Sequence, residues 1–588
     1  MRYLRIILIP VLQGAFAVAL MSEYPSMIYF IILFAIKELY MALMGLYLIK
    51  KDKGENGAKC HGKLWTAVIN FGCFALLAFT DMSYFYSYIL IALMMAVMIF
   101  SLIMNVRFHI SVLRDKELRK IKKRYVLIFM LFLIAYILIG GTVPYINNPE
   151  LDGKYAEDFS AEDYYGDAVG ADRAAIITDN GQALEERIRL IEQAEDRIVL
   201  STFSFCADTS GKQMLAALKA AAERGVRIQI LVDGFNSWLN MEGNPYFISL
   251  AVYDNVEIKL YNKLNPLVPW KAMSRMHDKY IIADEQLYIT GGRNTFDYFL
   301  GDQKGYKNYD MDVLVYNTGS DESSVYEVLE YLEQVWEMDC CKLWHDNNIL
   351  DRIQPSVKKA AGELDEIYAL MKEEHAEWFQ EIDYSDITVE TDKISLLSGT
   401  ANIYAKEPRV FYGLCRLMEN AEENIIIHTP YIMCDELMYE ALTDVCSADA
   451  DVVLMTNSAE NNGNPFGSVD YVLHKKEILD IGMQVLEYDG KCSYHGKCIA
   501  IDDDISIVGS FNMDMKSTYQ STETMMVIDS EELNEQLRNV MEEYHKDASE
   551  AVYDENEIDS LFSDDVSLKK RIERGIIKII DPFLRFLM

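Results

Sequence analysis

The chain has 588 residues and a formal net charge of −36, and half of its residues (51%) are hydrophobic. This length is too great for one hydrophobic core, so several domains are expected. The acidic excess argues against a general nucleic-acid-binding protein, because such proteins normally carry a basic surface. The ten cysteines show no CxxC pair and no zinc-ligand spacing, which favours small buried side chains and leaves a disulfide open only for a domain outside the cell.

Five apolar segments near the N-terminus approach the roughly 20 residues that a membrane-spanning helix needs. They cover 5–21, 26–49, 64–80, 83–106 and 125–143. The loops after the second and fourth segments are rich in Lys and Arg, which places both loops in the cytoplasm. The sequence therefore predicts an all-α transmembrane region of five spans at 1–145, a multi-pass location in the cell membrane, and a large domain on the extracytoplasmic side.

A polar, acidic linker at 146–170 precedes two copies of a strand–helix–strand pattern. The elements are expected at 197–205, 211–224 and 226–232 in the first copy, and at 424–429, 435–445 and 451–456 in the second. Alternating strands and helices predict a mixed or parallel sheet flanked by helices. We therefore expect two α/β lobes, at 171–345 and 385–555, joined by a helical connector at 346–384.

Each predicted lobe contains one copy of a histidine motif. Its members are His277, Lys279, Asp284 and Asn294 in the first copy, and His495, Lys497, Asp502 and Asn512 in the second. In both copies Lys follows His by two residues, Asp follows Lys by five, and Asn follows His by 17. His and Lys two apart on a strand share one face, and a glycine turn lets the Asn reach back toward them. Imidazole, ammonium and amide groups in one place suit a phosphate oxyanion.

These motifs resemble those of the phospholipase D superfamily, over roughly residues 170–550. The resemblance implies that two pseudo-symmetric phospholipase D-type lobes build one phosphodiester-cleaving centre that needs no metal or other cofactor. It implies that one histidine forms a phosphohistidine and the other acts as general acid and base. By analogy His277 is the nucleophile and His495 the general acid.

The resemblance also implies a carboxylate behind each histidine. Glu523 fits this role in the second copy, and Asp310 fits it in the first, with Asp312 as a nearby rival. The aspartates of the two motifs are expected to brace the fold rather than to act in catalysis. One difference separates the copies, because Gly292 stands where the second copy has Ser510.

Within the superfamily, the motif surroundings are similar to those of bacterial cardiolipin synthases. The similar stretches are 275–279, 291–294, 310–313, 509–514, 522–523 and 527–529. The chain departs from the usual pattern at Lys516, where those enzymes show Arg, and at Ser521, where Asn is common. The resemblance implies a phosphatidyltransferase that joins two phosphatidylglycerols into cardiolipin and releases glycerol. Membrane phospholipids in the bilayer are then the partners, with phosphatidylethanolamine open as a donor, and no nucleic acid is expected.

Other functions remain open on the sequence. A hydrolytic phospholipase D would use the same residues with water as acceptor. An anchored nuclease would need a basic groove, whereas residues 146–588 carry 39 basic and 84 acidic groups. An inactive membrane scaffold would be expected to have damaged motifs. The tail at 556–588 is predicted to be a basic amphipathic helix, lying at a membrane surface or docked on the domain. The oligomeric state is left open.

Overall fold

The computed structural model of the protein describes residues 131, 134–265, 268–345, 349–448, 450–563 and 566–588. The predicted spans at 5–21, 26–49, 64–80 and 83–106 lie outside these residues, and the span at 125–143 lies only partly within them. Among the described residues, no helix combines the length and the apolar character that a membrane crossing requires. The chain divides into two units, and the unit described below comprises Gly141–Asn265 and Trp270–Met588.

The strands of this unit belong mainly to two mixed sheets, one in each lobe. In chain order they are β1 (Asp172–Ile177), β2 (Arg197–Thr202), β3 (Arg227–Asp233), β4 (Val256–Tyr261), β5 (Tyr280–Ala283), β6 (Leu287–Gly291), β7 (Asn308–Tyr309), β8 (Asp312–Asn317), β9 (Cys341–Leu343), β10 (Val389–Glu390), β11 (Lys393–Ser398), β12 (Asn424–His428), β13 (Ile432–Met433), β14 (Asp451–Asn457), β15 (Gln484–Tyr488), β16 (Ser493–Tyr494), β17 (Cys498–Ile501), β18 (Ile505–Gly509), β19 (Met513–Asp514), β20 (Thr524–Asp529) and β21 (Ala548–Glu550).

The α-helices flank the two sheets, and those at Val325–Trp336 and Glu531–His545 contribute to the apolar cluster that the two lobes share. They are α1 (Gly153–Asp158), α2 (Asn180–Gln193), α3 (Thr209–Arg224), α4 (Gly234–Asn240), α5 (Pro245–Ala251), α6 (Val325–Trp336), α7 (Ile349–Ile353), α8 (Pro355–Glu374), α9 (Arg409–Met418), α10 (Glu436–Cys446), α11 (Pro465–Asp480), α12 (Met515–Tyr519), α13 (Glu531–His545), α14 (Glu557–Ser560) and α15 (Leu568–Leu584). The predicted connector region thus contains α7 and α8.

The two large sheets repeat one topology. The first has the order β10-β1-β8-β6-β5-β2-β3-β4-β9, and the second has the order β11-β20-β18-β17-β12-β14-β15-β21. In each sheet a parallel trio, β2-β3-β4 or β12-β14-β15, continues into antiparallel strands that carry the histidine motif. The inner strands β2, β3 and β14 are buried over most of their length, which is why they contain short apolar runs. The outer strands β4 and β15 mix polar with apolar residues. This architecture confirms the predicted α/β class with mixed sheets flanked by helices.

Local signals set the ends of the helices that follow the first strand of each trio. The Asp208 side chain accepts from the N–H of Gly211 at the start of α3, and Asp435 caps α10 in the same way. Such caps satisfy N–H groups that the first helical turn leaves without partners. Helix α3 ends at Gly225, whose φ of 97° lies in the left-handed region that glycine adopts without strain.

The two lobes share a buried core, so they form one body rather than two independent domains. One apolar cluster contains Val313 and Val315 from β8 together with Met526 and Ile528 from β20. The exposed fraction of each of these side chains is at most 1%, and full burial of such a side chain contributes roughly 1.5–3 kcal/mol. The cores under the helices of each lobe are separate clusters.

The segment predicted as a linker contains structure of its own. It holds α1 and a short 3-10 helix at Ala161–Tyr164, and the Phe159 and Tyr164 rings pack against the core of the second lobe. The main-chain N–H of Gly166 donates to the Asp529 carboxylate at 2.8 Å. The chain therefore contacts the second lobe before it enters β1 of the first.

Candidate active site

The aspartate of each motif closes the turn between the two motif strands. Asp284 accepts hydrogen bonds from three successive N–H groups at 195–197, over 2.5–2.9 Å. Asp502 does the same for 422–424, over 2.8–3.0 Å. Both adopt positive φ angles, 51° and 43°, which Asp tolerates better than most residues. These contacts tie each motif turn to the start of a central strand and leave the aspartates bonded to backbone, not to the histidines.

Two short pairings between the lobes bring the motifs together. Tyr494 in β16 pairs in parallel with Tyr309 in β7, and Met276 forms a parallel bridge with Thr522. The main-chain N–H of each following histidine donates to the carbonyl of the same partner, at 2.6 and 3.2 Å. Because Tyr309 and Thr522 each precede a carboxylate, the pairing sets each histidine of one lobe beside an acidic residue of the other.

Each motif histidine is held by a carboxylate from the opposite lobe. Nδ1 of His277 lies 2.9 and 3.0 Å from the two carboxylate oxygens of Glu523, and Nδ1 of His495 lies 2.6 Å from Oδ2 of Asp310. The prediction from sequence, which assigned each carboxylate to the histidine of its own copy, was wrong in this respect. The pairing is crossed because the inter-lobe bridges, and not the motif strands, position the carboxylates.

Asp312, the alternative to Asp310 as the carboxylate behind a histidine, has a structural role instead. Its Oδ2 forms buried ion pairs with Arg187 at 2.8 Å and with Arg293 at 3.2 Å. The Arg293 guanidinium also donates to the carbonyl of Asp310. Asp312 therefore helps to hold the strand next to the site and does not contact a histidine.

The crossed pairs orient both imidazoles in the same way. At His277 an ionised Glu523 can only accept, so Nδ1 carries the proton and Nε2 keeps its lone pair. At His495, Nδ1 lies 2.6 Å from Oδ2 of Asp310 and 2.7 Å from Nζ of Lys497, and the charged carboxylate favours the proton on Nδ1 there too. The imidazole of His277 is 13% exposed and that of His495 is 21% exposed, and in each ring it is Nδ1, not Nε2, that faces the carboxylate. The Phe203 ring packs edge-on to His277 at 5.1 Å, and Phe299 packs on His495 at 4.9 Å between ring centroids.

The Gly292 and Ser510 difference follows from the lengths of the two carboxylate side chains. A Cβ atom at Gly292 would lie 2.2 Å from Oδ1 of Asp310, so only glycine fits there. At the equivalent position Ser510 donates to Glu523 at 2.5 Å, and Ser517 donates to the other oxygen at 2.7 Å. The longer Glu523 side chain thus leaves room for the serine side chain at position 510, whereas the Asp310 carboxylate leaves room only for glycine at position 292.

The motif lysines and asparagines complete the site. Lys279 and Lys497 are almost fully buried, and each Nζ donates to the carbonyl of the histidine two residues earlier. Oδ1 of Asn294 accepts from a main-chain N–H at 3.2 Å, which leaves its NH2 group as the remaining donor. The NH2 group of Asn512 donates to the Tyr431 hydroxyl at 3.2 Å.

Burial strongly perturbs the titration of the basic groups. It lowers the pKa of Lys279 to about 7 and that of Lys497 to about 8. It also lowers the pKa of His495 to about 4, with the Lys497 charge adding to the effect, and lowers the pKa of His277 well below its usual value. An anion entering the site would offset these shifts, because its charge stabilises the cationic forms.

The two carboxylates differ in character. Burial raises the pKa of Glu523 to about 7. Burial acts in the same direction on Asp310, but the neighbouring charges of Lys497 and His495 outweigh it and hold the pKa of Asp310 below its usual value. The pKa of Asp310 is therefore lower than that of Glu523, and Asp310 stays ionised beside His495 under conditions in which Glu523 beside His277 becomes protonated.

Several residues around the site carry no motif signal and were missed from sequence. Tyr431 and the two phenylalanines lie in loops without recognisable patterns. Asp278, whose pKa burial raises to about 7, accepts from Thr522 at 2.7 Å and from Tyr331 at 3.2 Å, in a network behind His277. Ser517 could have been found, because it directly follows Lys516, a position that the comparison of motif surroundings had singled out.

In the described part of the chain, no three potential metal ligands at the histidine motifs lie close enough together to share an ion. The one group of three that those residues contain is Asp470, His474 and Asp581, on α11 and α15. The Arg585 guanidinium donates to Asp470 there at 2.6 Å and offsets part of its charge. The eight cysteines that the structure describes are free thiols.

Comparison with known proteins relates this geometry to a family. Residues 188–336 and 414–545, which contain both motifs, match the family model described as cardiolipin synthase, PLD-like domain. Cardiolipin synthase 1 of Staphylococcus epidermidis is 25% identical over 413 residues, 70% of this chain and 74% of that protein. Cardiolipin synthase C of Escherichia coli is 24% identical over 388 residues, 60% of this chain and 80% of that protein. These similarities confirm the resemblance inferred from the motifs.

A solved structure shares the fold. The crystal structure of phosphatidylserine synthase from Haemophilus influenzae superposes with a TM-score of 0.51 at 13% sequence identity, covering 74% of this chain and all of that chain. At this identity the likeness shows the common two-lobed fold alone.

Proposed function

We propose that this chain, an enzyme of the phospholipase D superfamily, is a phosphatidyltransferase of the cardiolipin synthase type. It joins phosphatidylglycerol to a second phospholipid and releases glycerol. The observation that carries the proposal is the crossed arrangement of two histidine–carboxylate pairs with two buried lysines in one site. This arrangement supports two imidazoles whose Nε2 atoms are not engaged by the carboxylates, as attack on a phosphodiester by one and protonation of its leaving group by the other require.

The proposed reaction has two steps. In the first, Nε2 of His277 attacks phosphorus, the bond to the glycerol oxygen breaks, and His495 gives its proton to that oxygen. The phosphatidyl group is then bound to His277 as a phosphohistidine. In the second, a hydroxyl of the acceptor lipid loses its proton to His495, its oxygen attacks phosphorus, and the phosphorus–nitrogen bond breaks. Both histidines are thereby returned to their starting states.

The unequal carboxylates support this division of roles. A general acid must carry a proton, and the firmly charged Asp310 at 2.6 Å stabilises an imidazolium at His495. A nucleophilic imidazole must be neutral. The negative charge of Glu523 is already stabilised by hydrogen bonds from the Ser510 and Ser517 hydroxyls. Glu523 therefore orients His277, but it stabilises the cationic form of His277 less than Asp310 stabilises that of His495.

The lysines supply the charge that holds the phosphate. In the free site burial favours their neutral forms, and the Lys497 charge lowers the pKa of Lys279 further. A bound phosphodiester anion reverses this balance and favours two ammonium groups. The same negative charge favours the protonated form of His495, so binding the substrate prepares the general acid.

The membrane setting belongs to the same proposal. Five N-terminal spans would keep the domain next to the bilayer on its extracytoplasmic side, which raises the effective concentration of lipid headgroups as donors and acceptors. Phosphatidylglycerol is the proposed donor and acceptor, with phosphatidylethanolamine as an alternative donor. A thiol reagent that cannot cross membranes should label the partly exposed Cys206 or Cys492 in intact cells, and labelling only after lysis would contradict the orientation.

Hydrolysis is the second candidate, favoured by the partial exposure of both imidazoles, because water can then reach the site. It uses the same residues and the same phosphohistidine, with water in place of the second lipid. Phosphatidic acid as the main product would identify it.

The roles of the two histidines can be tested with a phosphatidyl ester of p-nitrophenol. Its leaving group needs no general acid, so the His495→Ala variant should release p-nitrophenol in a burst equal to the enzyme concentration and retain the phosphatidyl group on His277. The His277→Ala variant should give no burst. A burst from His277→Ala and none from His495→Ala would reverse the assignment, and steady release from both would contradict the covalent mechanism.

A further inference from the structure

Helix α15 near the C-terminus is held on the second lobe by one face. Arg574 forms an ion pair with Glu460 at 2.7 Å, and Ile577 packs into a small cluster with Met433, Phe466 and Val469. Just after the helix, Arg585 donates to Asp470 at 2.6 Å. The helix is therefore docked on the domain, which was one of the two alternatives that the sequence left open.

The opposite face of the same helix forms an apolar ridge. Its members are Leu568, Ile572, Ile576, Ile579 and Phe583, with exposed fractions of 65%, 56%, 55%, 72% and 71%. At 3.6 residues per turn these positions fall within an arc of about 80° along the whole helix. A continuous ridge of large exposed apolar side chains marks an interaction surface.

Basic residues border the ridge on both sides. Lys569 lies at one edge, and Arg571 and Lys578 lie at the other, by their positions on the helix. The helix holds five Lys or Arg and two Asp or Glu within a chain whose net charge is −36. This local reversal of charge complements an anionic surface.

We propose that the ridge of α15 docks on an anionic lipid surface. The apolar side chains enter the boundary between headgroups and acyl chains, and the bordering lysines and arginine bind lipid phosphates. A second copy of the chain suits the ridge less well, because two such helices would bring like-charged borders together. The inference goes beyond the proposed reaction and does not depend on which lipid is the substrate.

The residues that follow helix α15 form hydrogen bonds with the segment that borders the active site. The carbonyl of Phe586 accepts from Nε2 of Gln520 at 2.7 Å, and the carbonyl of Met588 accepts from the N–H of Lys516 at 2.9 Å. Lys516 lies in α12 next to Ser517, which donates to Glu523. Docking of α15 would therefore fix the position of the catalytic histidines relative to the lipid surface.

The test uses the full chain in vesicles of equal parts phosphatidylserine and phosphatidylcholine. The photoreactive residue p-benzoylphenylalanine replaces Ile579 on the ridge or, as a matched control, Val552, which is equally exposed (71%) but lies outside the helix. After irradiation, mass spectrometry should find lipid adducts at position 579 at least tenfold more often than at position 552.

Charge variants test the electrostatic part. Lys569→Gln and Lys578→Gln, combined with the probe at position 579, should each weaken docking roughly fivefold, and pure phosphatidylcholine vesicles should lower the adduct yield further. Equal lipid labelling at 579 and 552, or no lipid labelling at 579, would overturn the proposal. Protein–protein crosslinks at 579 in place of lipid adducts would overturn it in favour of an interface between copies of the chain.

Discussion

Replacing Gly292 with alanine should impair His495, the proposed general acid, without changing any histidine or lysine. A Cβ atom there would lie 2.2 Å from Oδ1 and 2.8 Å from Cγ of Asp310. The neighbouring strands are buried, so the carboxyl group must yield. It has to move by about 1 Å to reach ordinary van der Waals contact, which breaks the 2.6 Å contact to His495.

A misplacement of about 1 Å in a catalytic group costs on the order of a hundredfold in rate. We therefore expect Gly292→Ala to lower kcat about a hundredfold with little change in KM, because both lysines keep their places. Overpacking of this kind also costs about 1–3 kcal/mol of stability, which thermal unfolding would measure. The assay is release of glycerol from phosphatidylglycerol vesicles.

The second lobe supplies the matched control. Ser510→Ala puts the same residue at the equivalent position, where a Cβ atom already exists. It removes only the hydroxyl, which donates to Glu523 and accepts from the N–H of Thr524. Loss of the hydrogen bond to Glu523 should cost about tenfold. In an Asp310→Asn background Gly292→Ala should add little, because both changes act through His495.

The p-nitrophenyl ester separates a catalytic defect from a folding defect. Because this substrate needs no general acid, folded Gly292→Ala enzyme should still give the full burst. The explanation of why position 292 is glycine would be refuted if Gly292→Ala kept a near-normal kcat on phosphatidylglycerol. It would also be refuted if Gly292→Ala lost no more activity than Ser510→Ala does.

Three further predictions follow from the site. kcat/KM should fall more steeply as pH rises through about 7–8, because the lowered pKa values of Lys279 and Lys497 remove the cationic lysines there, in addition to the loss of protonated His495 above its pKa of about 4. Arg at both lysine positions should remove this steeper limb. Tyr431→Phe removes the hydroxyl that fixes Asn512 and should lower kcat/KM about tenfold, measured by glycerol release; an unchanged value would contradict that role. Asp502→Ala removes three backbone hydrogen bonds and should destabilise the fold by about 2 kcal/mol, whereas Asp503→Ala, at its exposed neighbour, should leave the melting temperature unchanged.

The sequence was informative where a function depends on short-range spacing. Identical offsets in the two motifs identified the strands, the turn and the residues that the structure brings into one site, such as His277 and Lys279. The sequence could not predict that the carboxylates are crossed, because Glu523 and His277 are 246 residues apart in the chain. A single bridge between the two lobes brings them into contact. Nothing in either motif specifies which copy a carboxylate serves.

Residues that lie in loops were missed for a related reason. Tyr431, Phe203 and Phe299 contact the motif side chains Asn512, His277 and His495 through tertiary packing. Aromatic residues in loops have no periodicity by which a sequence could reveal them. The difference between Gly292 and Ser510 was visible in the sequence, but its cause needed the distance to Asp310. The C-terminal helix was foreseen as amphipathic, whereas its docked and exposed faces became distinct only in the structure.

Incubation of the purified full chain with phosphatidylglycerol alone tests the central proposal most directly. Lipid products and free glycerol are followed over time by mass spectrometry. Phosphatidyl transfer between two lipids predicts cardiolipin and glycerol appearing in equal amounts. Phosphatidic acid and glycerol without cardiolipin would contradict the transferase and identify a hydrolase.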